Sequence, residues 1–185
     1  IPRIVRDATD ESEGFEGYTL APLVNLSDRF DTGVAEIIAS GVRDSVEKGA
    51  LRRPPAVAVV DHGTPEPAVN TVRGHLARQI EELMGKTVSD VAAASMERRA
   101  GTEYDFNDPL LENLLNSPGF TRDVVVAPVF LAPGRHAGPG GDIDRICAKA
   151  QIENPELNVI RSPLVGQHPE FPALIADRVL GALGR

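Results

Sequence analysis

Along the chain, short apolar runs alternate with stretches whose apolar positions recur every three or four residues. "AVAVVDHG" (56–63) is such a run and ends in turn chemistry, as suits a strand buried on both faces. The segment after it carries Val69, Val72, Leu76, Ile80 and Leu83, spaced 3, 4, 4 and 3, and predicts an amphipathic helix. "VAAASM" (91–96) predicts a second strand, the four leucines between 108 and 116 a short helix, and "DVVVAPVFL" (123–131) a third strand. "GDIDRICAKA" opens a helix, "LNVIRSPLV" predicts a fourth strand, and residues 168–183 close with a helix. Strands alternating with helices imply an α/β fold, a parallel four-stranded sheet with helices on both faces.

Before this unit the pattern is less regular. Residues 1–17 are charged, contain glycine and show no period, so they read as a tail or loop. "APLVNLSDRFDTGVAEII" from Ala21 then matches "SPLVGQHPEFPALIADRV" from Ser162 at a constant offset of 141. Pro22, Leu23, Val24, Phe30 and Ala35 face Pro163, Leu164, Val165, Phe171 and Ala176. Each copy reads as a strand followed by a helix, and Phe30, Val34, Ile37, Ile38 and Val42 keep helical spacing. Residues 18–47 are therefore expected to be the closing strand and helix of a first repeat, joined by a linker at 48–55 to an α/β unit over 56–185. With Ile at position 1, the chain reads as an excerpt of a longer protein.

Composition narrows the class. Hydrophobic residues make up 42% and charged residues 25%, so a packed core is expected over 185 residues. Tryptophan is absent, and Val, Leu, Ile and Ala must build that core. The one cysteine, Cys147, excludes an internal disulfide and a thiolate-rich metal site, and it shares an apolar helical face with Ile143, Ile146 and Ala150. A net charge of −8 argues against general nucleic-acid binding. No stretch approaches the ~20 apolar residues of a membrane span and no signal peptide is evident, so a cytoplasmic protein is expected.

In parallel sheets, ligands gather beyond the carboxyl ends of the strands. His62 directly follows the first strand of the unit, Glu97 ends the second, and His136 lies a few residues past the third. Three strands thus deliver two imidazoles and a carboxylate to one edge. Such groups suit a borderline divalent ion such as Fe²⁺, Co²⁺, Ni²⁺ or Zn²⁺, and they accept protons near neutral pH. With no third histidine converging, the set suits an open site that holds an ion loosely and passes it on. Insertion of a metal into a tetrapyrrole needs such a site, because two pyrrole protons leave as the ion enters. Of the other histidines, His168 reads as a helix-start device and His75 lies off the apolar stripe of its helix, facing solvent.

"VAVVDHGTPEPAVN", "SMERR", "VVVAPVFLAPGRHAGPGGDI" and "SPLVGQHPEF" together resemble the sirohydrochlorin cobalt- and iron-chelatase family, ATP-independent enzymes of the class II chelatase fold. The resemblance runs through about residues 56 to 185. It implies that His62 and His136 handle the metal and that Glu97 assists them. It also implies that Gly63 and Gly134 let their loops approach a large flat ligand, with Arg135 and Arg98 meeting its carboxylates; Arg99 and Arg145 are further basic candidates. No tightly bound cofactor is expected, Co²⁺ or Fe²⁺ being the substrate ion, and the chain has no Walker-type loop. The expected partners are sirohydrochlorin and a divalent metal, with a dimer or a missing first half-unit to cover the cleft. Two features depart from the family. "AGPGGDID" replaces the Lys and acidic residue that often follow the loop histidine, and the histidines fall in the second repeat. A non-catalytic metal or tetrapyrrole carrier on the same fold is the alternative reading. A hydrolase lacks a nucleophile elbow.

Overall fold

The structure is a computed structural model that describes residues 31–49, 51 and 54–183. Four strands, β1 (Ala56–Asp61), β2 (Asp90–Ser95), β3 (Asp123–Pro128) and β4 (Asn158–Arg161), form one parallel sheet in the order β2-β1-β3-β4. Among the described residues five helices accompany them: α1 (Gly33–Lys48), α2 (Pro67–Met84), α3 (Leu111–Leu114), α4 (Asp142–Glu153) and α5 (Phe171–Ala182). The strand expected near Ala21 lies outside the described residues.

The sheet is buried on both faces, which is why its central strands read as continuous apolar runs. Side chains alternate along each strand and so feed two cores. Ala56, Ala58, Val60, Val124 and Val126 pack with Leu111, Leu115, Ile143 and Cys147 of the α3–α4 layer. Val57, Val59, Val125 and Ala127 pack with Ile37, Ile38 and Val42 of α1 and Leu76 and Ile80 of α2. Burying one such Val, Leu or Ile contributes about 1.5–3 kcal/mol. The helix expected to close a separate first repeat thus shares its core with the unit that follows the 48–55 stretch.

Two strands are shorter than their apolar runs. β3 ends at Pro128 and β4 at Arg161, although the hydrophobic stretches continue to Leu131 and Val165. Pro128 and Pro163 carry no N–H for the ladder. The chain beyond β4 bends into a 3₁₀ turn over Val165–Gln167 before α5.

The strand order decides where the loops go. From β1 the chain runs through α2 to β2 on one side, then crosses back under β1 through α3 to reach β3 on the other. Parallel crossovers are right-handed, so this reversal puts α2 and α3 on opposite faces of the sheet. The connections leaving β1 and β3 therefore diverge, and a crevice opens between neighbouring strand ends. His62 and His136 sit on those two connections.

Candidate metal-handling site

The first half of the site is a tight turn after β1. The Asp61 side chain accepts the Gly63 N–H at 3.1 Å and folds the chain back on itself. Gly63 has a φ of +96°, and a Cβ there would lie 1.9 Å from the Glu97 carbonyl oxygen, so no other residue fits. The ladder between β1 and β2 continues past both strands. Met96 N–H donates to Asp61 C=O at 2.8 Å and Glu97 N–H to His62 C=O at 3.2 Å. This stitching brings His62 Nε2 to 3.5 Å from Glu97 Oε1. Both side chains remain open to solvent, at 46% and 60% exposure, so the site is accessible to a ligand. On its other edge the His62 ring sits with Nδ1 3.3 Å from Gly63 C=O, so both ring nitrogens lie near an oxygen acceptor.

The second half is the long loop after β3. Its turns close through backbone bonds from Gly138 N–H to Gly134 C=O at 2.8 Å and from Gly141 N–H to Gly138 C=O at 2.9 Å. Gly141 is needed for close approach, since a Cβ there would meet the His136 carbonyl oxygen at 2.6 Å. The chain then enters α4, and Asp142 in its first turn points back at the loop. His136 Nδ1–H donates to Asp142 Oδ2 at 2.6 Å, and Arg145 grips the other carboxylate oxygen. The hydrogen bond from His136, aided by Arg145, holds the Asp142 carboxyl below its ordinary value and outweighs the opposing effect of burial. Asp142 is thus ionised at neutral pH, and its hold on Nδ1 orients the His136 ring and leaves Nε2 as the nitrogen it does not engage.

The two halves meet. The His62 and His136 rings lie edge to face, 4.8 Å between centroids and 78° between planes. A cleft of about 300 Å³ lies on the His62 side, lined by His62, Gly63, Thr64, Pro65, Glu97, Arg98 and Arg99. Among the described residues no three His, Cys, Asp or Glu side chains close around a metal position. The pairwise contacts are there, and a preformed cage is not. A larger cavity of about 460 Å³ lies behind the same loop, lined by Lys48, Pro133, Ala137, Arg161 and Pro163 among others, but neither histidine nor Glu97 opens into it. Chemistry and not volume therefore marks the site.

The family sequence model of CbiX, a sirohydrochlorin chelatase family, matches residues 56–182. The chain belongs to the CbiX family. Among solved structures it is similar to SirB from Bacillus subtilis with Fe³⁺, at a TM-score of 0.66 and 18% identity over 98% of this chain. That likeness shows the α/β chelatase-like fold, and the chain spans 63% of the length of that structure. No curated protein matches it.

Within this CbiX-family chain the remaining candidates fall into distinct places. Arg135 and Gly134 are exposed on the His136 loop, and among the described residues the Arg135 guanidinium has no partner. Arg98, expected to meet a substrate, lines the cleft and pairs with Asp105 at 3.0 Å and Asp108 at 3.4 Å and donates to Gly101 C=O at 3.1 Å. Its charge is already matched, and it braces its own loop. Arg99 lies over the Tyr104 ring at 5.9 Å, and Arg145 is held by Asp142. His168 caps the turn before α5 by accepting the Glu170 N–H at 3.3 Å. His75, expected in solvent, is half-buried on α2. The sequence pattern gave no role to Asn107, which is fully buried and spans Thr64 by accepting its N–H at 3.0 Å and donating to its C=O at 2.9 Å. Asp142 was legible only as an acidic helix start.

Proposed function

We propose that this chain is an ATP-independent chelatase that inserts Co²⁺ or Fe²⁺ into sirohydrochlorin, in the sirohaem or cobalamin branch of tetrapyrrole synthesis. Membership of a chelatase family supports the reaction type. The observation that carries the reading is the contact of two imidazoles from opposite sides of the strand-order reversal, with a carboxylate 3.5 Å from one of them.

In this reading the divalent ion is a substrate. As neutral imidazoles, His62 and His136 offer Nε2 lone pairs to it, and Asp142 orients the second ring through its Nδ1–H. The open donor set suits transfer, because an ion gripped by a closed cage would be costly to release. As the ion enters the ring, two pyrrole N–H bonds break and two protons leave, which balances the two positive charges gained. Glu97 is placed to accept one of them and an imidazole the other. Arg135, exposed on the same loop, is suited to pair with a ring carboxylate in bidentate fashion.

The experiment is anaerobic. Protein is mixed with sirohydrochlorin and Co²⁺ or Fe²⁺, and the macrocycle absorbance is followed against a no-enzyme control. An accelerated shift that is lost in His62→Ala and in His136→Ala is expected. Saturable binding without acceleration by either ion would replace the chelatase with a carrier.

A further inference from the structure

Beneath the turn that presents His62 lies a buried polar cluster that belongs to neither core. Arg73 projects from α2 and is 6% exposed. Its Nη1 donates to Ser95 Oγ and, at 2.9 Å, to Asn107 C=O, and it lies 3.8 Å from Asp61 Oδ1. Ser95 Oγ–H in turn donates to Asp61 Oδ1 at 2.6 Å. Asp61 and Ser95 are register partners at the ends of β1 and β2, and each lies one or two residues before a site side chain. Asn107 closes the cluster over Thr64. One guanidinium therefore touches the ends of both strands and the loop that caps them.

Such a cluster is a poor way to stabilise a fold. Among the described residues Arg73 Nε is buried without an acceptor, and the one carboxylate within 4 Å of the guanidinium, Asp61, stands at 3.8 Å. Buried charges so partly matched are commonly no more stabilising than apolar residues of the same volume. What the cluster does fix is geometry. Asp61 Oδ1 receives the Gly63 N–H, which makes the turn, and also the Ser95 hydroxyl, which ties that turn to β2.

We propose that Arg73, acting with Ser95 through Asp61, is a positioning residue that sets the His62–Glu97 spacing. The proposal deepens the chelatase reading and rests on it for its effect on turnover, while its structural claim is tested without the macrocycle. Arg73 touches no reacting atom. It holds the two strand ends at the separation from which an imidazole and a carboxylate act on one ligand.

The test uses Ser95→Ala, Arg73→Met and Arg73→Lys in the full chain. Four quantities are measured: amide exchange at Glu97, Co²⁺ affinity from visible absorbance without macrocycle, and kcat and KM for metal insertion. Outer-shell changes of this kind typically cost about 10–100-fold in metal affinity or activity. In Ser95→Ala, which removes only one hydroxyl, faster exchange at Glu97, at least about tenfold weaker Co²⁺ binding and a similar fall in kcat at nearly constant KM are expected. Arg73→Lys keeps the charge but not the fork, and is expected to resemble Arg73→Met in affinity. A lower melting temperature with unchanged Co²⁺ affinity and unchanged Glu97 exchange in Ser95→Ala would overturn the proposal, whatever becomes of Arg73→Met. Weaker Co²⁺ binding and faster Glu97 exchange in a protein with no turnover at all would uphold the positioning role and reject the chelatase.

Discussion

Replacing Gly63 with alanine probes the site through its backbone, leaving every candidate side chain in place. The methyl group would sit 1.9 Å from the Glu97 carbonyl oxygen, where a contact of at least 3.0 Å is required. The His62 and Glu97 segments must therefore part by about 1 Å, the difference of those two values. The separation breaks the Glu97 N–H to His62 C=O bond, a loss of about 0.5–1.5 kcal/mol. A side chain at a φ of +96° adds about 1–2 kcal/mol. Together these come to roughly 1.5–3.5 kcal/mol, which lowers the melting temperature of a domain of this size by about 3–14 °C. Misplacement of about 1 Å at a reacting site costs about 10²-fold in rate. The assay is metal insertion at a temperature where thermal unfolding shows the variant fully folded. Gly85→Ala serves as control, since Gly85 also has a positive φ, of +51°, but nothing lies within 4 Å of its added Cβ. It is expected to lose about 1 kcal/mol of stability and no activity. A folded Gly63→Ala protein with wild-type turnover would refute the claim that the His62–Glu97 spacing matters.

Three further outcomes follow from particular contacts. Asp142→Asn removes the charge that orients the His136 ring and is expected to weaken Co²⁺ binding by about 10–100-fold, with little change in melting temperature; visible absorbance titration checks it, and unchanged affinity would mean that His136 is oriented by something else. Burial pushes the Cys147 thiol up to about 12 from an ordinary value of 9.0, so iodoacetamide at pH 8 is expected to label it only on unfolding. Because the unfolded thiol ionises first, its contribution to stability is intact below pH 9 and declines as pH rises toward 12. The alkaline slope of the unfolding free energy should therefore be shallower in Cys147→Ala.

Most of the elements were legible because their signals are local. The five apolar positions from Val69 to Leu83 specify an amphipathic helix through spacing alone, and α2 forms there. The uninterrupted apolar runs at 56–60 and 124–127 announce strands covered on both faces, and both strands form. Alternation of strands and helices fixes a parallel sheet, so the ends that carry His62, Glu97 and His136 had to share an edge. The short-range errors are just as physical. β3 and β4 stop before their apolar runs do, β3 at Pro128 and β4 two residues before Pro163, prolines that carry no N–H for the ladder.

What the sequence could not supply is who neighbours whom. The order β2-β1-β3-β4 places β1 beside β3, and only that adjacency turns two loop histidines 74 positions apart in number (136 − 62) into rings 4.8 Å apart. Arg73 lies four residues after Val69 and three before Leu76, on the inward face of α2, so a charge on an apolar stripe was visible in the spacing. Its partners were not, since Ser95 and Asn107 are 22 and 34 residues away. Asn107 joins Thr64 across 43 residues, and α1 enters a core whose other members begin after the stretch expected to separate them. Periodicity records how each segment meets the interior as a whole. Strand order, the meeting of the histidines and the buried cluster beneath them depend on the summed packing of all segments at once, and no single segment's pattern encodes that sum.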